Sequence, residues 1–212
     1  MAKSNRNLHK FQVSIFKVKE HTKEQREGNI WIESWGGGLY GCDPLGIGRP
    51  IEHACFPDPK VTRLAEDKVG GRVLIGTPSG LASWDGNAID PVAIGDPSIL
   101  TVQPTRDGRV WVGTDGGRLI RGENGKYEYV EVPGIGEQGI YSIVEGPDSR
   151  VWIGGAQDYL GYFISGRFER IDGCLVHGIY VMYIDRGGRL WCGSYGRVPA
   201  LCYYDGSDFH LP

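Results

Sequence analysis

The stretch "GRVWVGTDGGRL", residues 108–119, decides how this chain folds. A polar turn leads into Val110-Trp111-Val112, then Gly-Thr, then a pair of glycines that closes on Leu119. A phosphate-cradling loop would need Gly-x-Gly-x-x-Gly between a strand and a helix, or a Walker lysine followed by Ser or Thr. The glycines lead instead into "RLIRGENGKYEYVEV", which has no three-to-four residue apolar spacing and is soon broken by "ENG". No helix N-terminus is available to hold a phosphate, so the loop is not a nucleotide site. The stretch recurs, as "GNIWIESWGGGL" at 28–39, "GRVLIGTPSGL" at 71–81, "SRVWIGGAQDYL" at 149–160 and "GRLWCGSYGRVPAL" at 188–201. The large residues Trp31, Leu74, Trp111, Trp152 and Trp191 stand 43, 37, 41 and 39 positions apart. A period of about forty residues points to propellers and other repeat architectures.

Each unit keeps one internal order. A short apolar segment ("KFQVSIFKV", "VTRLAE", "ILTVQ", "IYSIVE", "IYVMYID") is followed by a polar turn ("REGN", "VGGR", "RDGR", "PDSR", "RGGR") and the Trp-centred segment. A third segment begins at Leu39, Leu81, Leu119, Leu160 or Leu201, and a fourth comes after it as "PIEHACF", "AIDPVAI", "YEYVEV", "RFERI" or "DFHLP". Short β-rich segments joined by Asp-Gly-type turns mark antiparallel hairpins. Four such strands, stacked radially, make a propeller blade. The expectation is an all-β propeller of five four-stranded antiparallel blades at about 11–57, 58–95, 96–136, 137–176 and 177–212, after an N-terminal tail at 1–10.

Composition excludes several classes. Thirty-four glycines and twelve prolines among 212 residues exceed ordinary usage but are spread over turn positions, so disorder is not implied. A net charge of −3 offers no basic face for nucleic acid. No apolar stretch approaches the length of a membrane span, and "MAKSNRNLHKFQVSIFKVKE" shows no export signal, so neither membrane insertion nor a leader is expected. Cys42, Cys55, Cys174, Cys192 and Cys202 form no C-x-x-C pair, which argues against zinc. Cys192 and Cys202 fall on neighbouring strands; a cross-strand disulfide is one reading, and small buried apolar residues is the favoured one.

The tryptophans of the repeat are expected to seal neighbouring blades, because one blade cannot bury its faces alone. Trp84, Phe163, Tyr204 and Cys42 share one slot and read as blade packing as well. Glu66, Asp67, Asp107, Asp148 and Asp185 recur near turns, where a carboxylate bonds nearby backbone N–H groups.

At these residues the chain resembles the two-component-regulator propeller repeat family, whose pattern runs roughly I-x-x-I-x-E-D-x-x-G-x-L-W-I-G-T-x-x-G-G-L-x-x-x-D. The resemblance covers residues from about 11 to 212. It implies the ligand-sensing part of a bacterial sensor kinase, usually exported and often recognising glycans or their breakdown products. Signal segment, membrane helix, kinase and DNA-binding parts are not seen in this sequence, and five units are fewer than the family's usual ring. An arc cut from a larger ring, or completed by further blades or by self-association, is therefore expected. "EGPDSRVWIGGAQDYLGYF" is more weakly similar to virginiamycin B lyase-like propellers, which use a histidine base with acidic metal ligands near the central channel. Here only His177 falls in a loop near a channel mouth.

No G-x-S-x-G elbow, H-E-x-x-H pair or calcium loop occurs, so no catalytic residue, metal or cofactor is expected. A binding site should lie where the repeats stop resembling one another. On the face shared by second-to-third strand loops and blade-to-blade connections, those residues are Trp35, Asp115, Arg118, Glu137, Gln157, Asp158, Tyr159, His177, Tyr195 and Arg197. Aromatic rings with planar donors and acceptors suit a polar small ligand such as a carbohydrate. A protein-interaction scaffold without a small-molecule site is the alternative.

Overall fold

Among the described residues five four-stranded antiparallel sheets succeed one another, each with its strands in sequence order. The computed structural model describes residues 15–17, 30–34, 38–42, 48–50, 60–85, 88–95, 98–195 and 198–212, the strands before residue 60 by backbone and pairing alone. The first blade is β1 (Ile15–Lys17), β2 (Ile30–Ser34), β3 (Gly38–Cys42) and β4 (Gly48–Pro50). The second is β5 (Arg63–Asp67), β6 (Arg72–Thr77), β7 (Gly80–Trp84) and β8 (Ile89–Val92). The third is β9 (Ile99–Pro104), β10 (Val110–Thr114), β11 (Leu119–Glu123) and β12 (Lys126–Val130). The fourth is β13 (Ile140–Glu145), β14 (Val151–Gly155), β15 (Leu160–Ile164) and β16 (Arg167–Ile171). The fifth is β17 (Val181–Ile184), β18 (Leu190–Gly193), β19 (Leu201–Tyr204) and β20 (Phe209–His210). The first strands lie side by side, β5 on β9, β9 on β13 and β13 on β17, so they form the inner edge of a β-propeller. Among the described residues no helix is long and apolar enough to cross a membrane.

Turn chemistry sets the hairpins. Asn124-Gly125 and Ser165-Gly166 both take positive φ, as two-residue hairpin turns between twisted strands require. In the first-to-second strand turns the acidic residues bond backbone and arginine together. Asp67 accepts from Gly70 N at 2.9 Å and pairs with Arg72 at 3.1 Å. Asp148 and Asp185 accept from Arg150 N and Arg189 N at 3.1 and 3.0 Å. Asp107 also accepts from Thr105 Oγ1 at 2.6 Å. These carboxylates are structural.

The seal between blades rests on a glycine as much as on the tryptophan. A Cβ on Gly76, Gly113 or Gly154 would stand 2.8, 2.6 or 2.7 Å from Cγ2 of Ile99, Ile140 or Ile179. In each case the isoleucine belongs to the start of the following blade, and it seats in the hollow that the glycine leaves. Trp111 and Trp152 lie on the same face two residues earlier and are buried. Trp152 meets Tyr162 of its own blade at 4.8 Å and Tyr204 of the next at 5.9 Å between ring centroids. Buried hydroxyls tie the inner strands: Thr62 Oγ1 donates to Ile99 O at 2.6 Å, and Ser142 Oγ accepts from Met182 N at 3.0 Å. The slot holding Trp84, Phe163, Tyr204 and Cys42 is one register position, opposite Val73, Val151, Leu190 and Ile30. In the third blade that position is Gly122, and the Tyr127 ring lies over it.

Trp191 departs from the expected burial. It is half-buried, its indole N–H donating to Asp185 Oδ2 at 2.9 Å and the Arg189 guanidinium lying 5.5 Å from its ring. On the same face Leu201 is 41% exposed and Val181 54%, whereas Leu81, Leu119 and Leu160 are buried. The physical reason is that no described blade packs on this side of the fifth sheet.

Candidate functional site

The second-to-third strand loops and the blade-to-blade connections are clipped together on one face. Each connection bonds or closely abuts the loop before it and bonds the loop after it. Ser98 N donates to Pro78 O at 2.6 Å, and Asp115 N donates to Ser98 O at 3.0 Å. Ala156 N donates to Gly139 O at 3.1 Å, while a Cβ on Gly117 would strike the carbonyl oxygens of Gly136 and Gln138. Gly178 N donates to Gln157 O, and Ser194 Oγ donates to the His177 carbonyl at 2.5 Å.

Where this face meets the inner edge, Tyr141 and Tyr180 stack with centroids 4.5 Å apart and planes 22° from parallel. Tyr141 is half-buried and is the extra residue of a bulge in β13, between Ile140 paired with Gly155 and Ser142 paired with Gly154. A bulge of this kind re-aims a side chain. The Tyr141 phenol is pushed up by burial, with Tyr180 and the Asp115 carboxylate adding to it. An aromatic pair and a carboxylate thus converge.

The sequence-derived candidates divide. Asp115 lies beside Tyr141, since a Cβ on Gly139 would stand 3.2 Å from the Tyr141 ring and 3.3 Å from the Asp115 carbonyl oxygen. Glu137 is exposed on the connection that abuts the Gly117 turn. Gln157 and Asp158 are exposed in the β14–β15 loop, Gln157 at φ 58°, and Gln157 touches the His177 connection through Gly178. His177 and Tyr195 are exposed on either side of Ser194. Arg118 is drawn to the outer strand, its guanidinium 5.4 Å from the Tyr129 ring centre. Tyr159 offers no ring to a ligand: it is 2% exposed, its hydroxyl donates to Pro133 O, and it sits in the core between Phe168 and Arg170. It directly precedes β15 and packs with Val132 and Ile135 of the preceding connection. Trp35 and Arg197 lie outside the described residues.

Tyr141 and Tyr180 are missing from those candidates because they belong to strand-entry segments rather than loops. The signal is the "GIY" that opens the fourth and fifth blades, where the third has "SIL". Ile140 and Ile179 are the inter-blade knobs, and the tyrosine after each projects the other way.

Comparison with known proteins agrees with this repeat. Residues 93–116 match the two component regulator propeller repeat. The chain superposes with a TM-score of 0.68 on the extracellular domain of a putative hybrid two component system from B. thetaiotaomicron, at 16% identity, over 82% of this chain and 25% of that one. The extracellular domain of a putative one component system from the same organism gives 0.61 at 18% identity, over 94% and 33%. A gluconolactonase from Xanthomonas campestris gives 0.65 at 13% identity, over 87% and 72%. These likenesses show the propeller fold. The chain spans a quarter to a third of the length of the two B. thetaiotaomicron domains. No curated protein sequence matches it.

Proposed function

We propose that this chain is a sensory β-propeller that binds a small polar ligand, a carbohydrate, on the clipped loop face. The stacked Tyr141–Tyr180 pair beside Asp115 carries the reading. A sugar ring stacks its C–H face on an aromatic, and a carboxylate accepts from its hydroxyls. Gln157, Asp158, His177, Glu137 and Tyr195 stand on the same face as further donors and acceptors. The similarity to sensory propellers in sequence and shape supports a binding role without a catalytic step.

A thermal-shift screen with neutral and acidic oligosaccharides tests this. A ligand present at a hundred times its Kd stabilises by about 2.7 kcal/mol. The shift should disappear in Tyr180→Ala and weaken in Asp115→Asn. A panel that gives no shift, or a shift that survives Tyr180→Ala, would overturn the assignment.

A further inference from the structure

We propose that Cys174, Cys192 and Cys202 form a three-thiolate site for a soft monovalent cation, Cu(I), between the fourth and fifth blades. The three sulfur atoms lie within 4.8 Å of one another, and Cys174 Sγ stands 4.0 Å from Cys202 Sγ. Thiolates held at about 2.3 Å around one cation, the Zn–S distance, stand about 4 Å apart. Cys192 and Cys202 are fully buried and face each other across β18 and β19, while half-buried Cys174 reaches them from the connection before β17.

Packing alone does not call for these residues. The slot of Cys192 is filled by Ile75, Val112 and Ile153 in blades two to four, and the slot opposite by Ala82, Ile120 and Gly161. The fifth blade replaces both aliphatic and small residues with thiols, and a third thiol arrives from a separate segment. Among the described residues no His, Asp or Glu joins the cluster as a fourth ligand. Structural zinc is almost always four-coordinate, and Cu(I) is the other single cation that soft thiolates select. A single disulfide would satisfy two of the sulfurs and leave the third.

The test uses the full chain with Cys42 and Cys55 changed to Ser, reduced and handled without oxygen, titrated with Cu(I) against a chromophoric Cu(I) chelator. One equivalent should bind, X-ray absorption should show three sulfur neighbours, and the half-buried Cys174 thiol should become resistant to alkylation. Cys174→Ser should weaken binding by more than the roughly 10–100-fold that outer partners of a metal site carry. Cys192→Val installs the residue of the equivalent third-blade slot, so it should keep the fold by circular dichroism and lose the metal. The proposal fails if Cu(I) is not retained, if two-sulfur binding survives Cys174→Ser, if Zn(II) displaces it at four-coordinate geometry, or if the purified chain holds two of these cysteines as a disulfide.

Discussion

Truncating Trp152 to Ala separates an inter-blade seal from a residue that merely repeats. Trp152 is 5% exposed and packs on Tyr162 and on Tyr204 of the following blade. A buried aromatic of this size removes roughly 150–250 Å² from water, and aromatic pairs add about 0.5–1.5 kcal/mol beyond that area. Truncation of a buried Trp should cost about 3–5 kcal/mol. For a chain of this size that is a fall in Tm of about 6–20 °C, at roughly 2–4 °C per kcal/mol. Trp191 occupies the same repeat position but is half-buried. With about half the area to lose, Trp191→Ala should cost roughly 1–2 kcal/mol. Urea unfolding monitored by far-ultraviolet circular dichroism measures both without relying on the removed fluorophore. A double-mutant cycle with Tyr204→Leu should return a coupling of about 0.5–1.5 kcal/mol, because that ring contact crosses between blades. Equal losses for Trp152 and Trp191, or a loss below about 1 kcal/mol for Trp152, would refute this stacking of blades.

Ser149 holds φ 66° in a turn where Gly71, Gly108 and Gly188 hold the same sign. Ser149→Gly should therefore stabilise the chain by about 0.5–1 kcal/mol in a urea titration, the relief of left-handed strain less the extra chain entropy of glycine. Ser142→Ala leaves the Met182 N–H buried without its acceptor and should cost about 1–3 kcal/mol in the same titration. Asp185 is held at about 2, chiefly by the Trp191 indole N–H and then by Arg189. Its folded value lies below the unfolded value of about 3.9, so its contribution is full above pH 4–5 and fades as pH falls towards 2. Asp185→Asn should flatten that part of the urea-midpoint profile between pH 5 and 2, and an unchanged slope would count against the Asp185–Trp191 turn.

Much of the fold was legible because the chain states it five times. Trp or Leu at a spacing near forty, a polar turn before it and a leucine after it give period, strand order and register together. The carboxylates of the turns were legible for the same reason, since Asp67, Asp107, Asp148 and Asp185 bond the neighbouring backbone in like fashion. The isoleucine-in-glycine contact was not. Gly76, Gly113 and Gly154 read in sequence as the start of a glycine-rich loop, and only the packing shows each as the hollow for a residue 23, 27 or 25 positions later. The exposure of Trp191 was equally hidden, because burial of a repeat face depends on what packs against it rather than on the repeat.

The candidate sites were less legible for a reason rooted in the same repetition. Non-repeating loop residues mark a site only where the strands are spent on packing. The bulged β13 breaks that condition: in its "GIY" the isoleucine serves the seal between blades, and the bulge turns Tyr141 towards Tyr180, just before β17. One strand position thus satisfies the repeat while its neighbour departs from it. The cysteines show the same effect across a longer separation. Cys192 and Cys202 read in sequence as neighbours on adjacent strands, but Cys174 lies 28 residues before Cys202 in a separate segment, and no ligand spacing relates it to them. A propeller brings a connection, a second strand and a third strand to one point between blades. Residues that replace the repeat's aliphatic core there are therefore worth comparing slot by slot, since a departure shared by three converging slots is not required by packing any one of them.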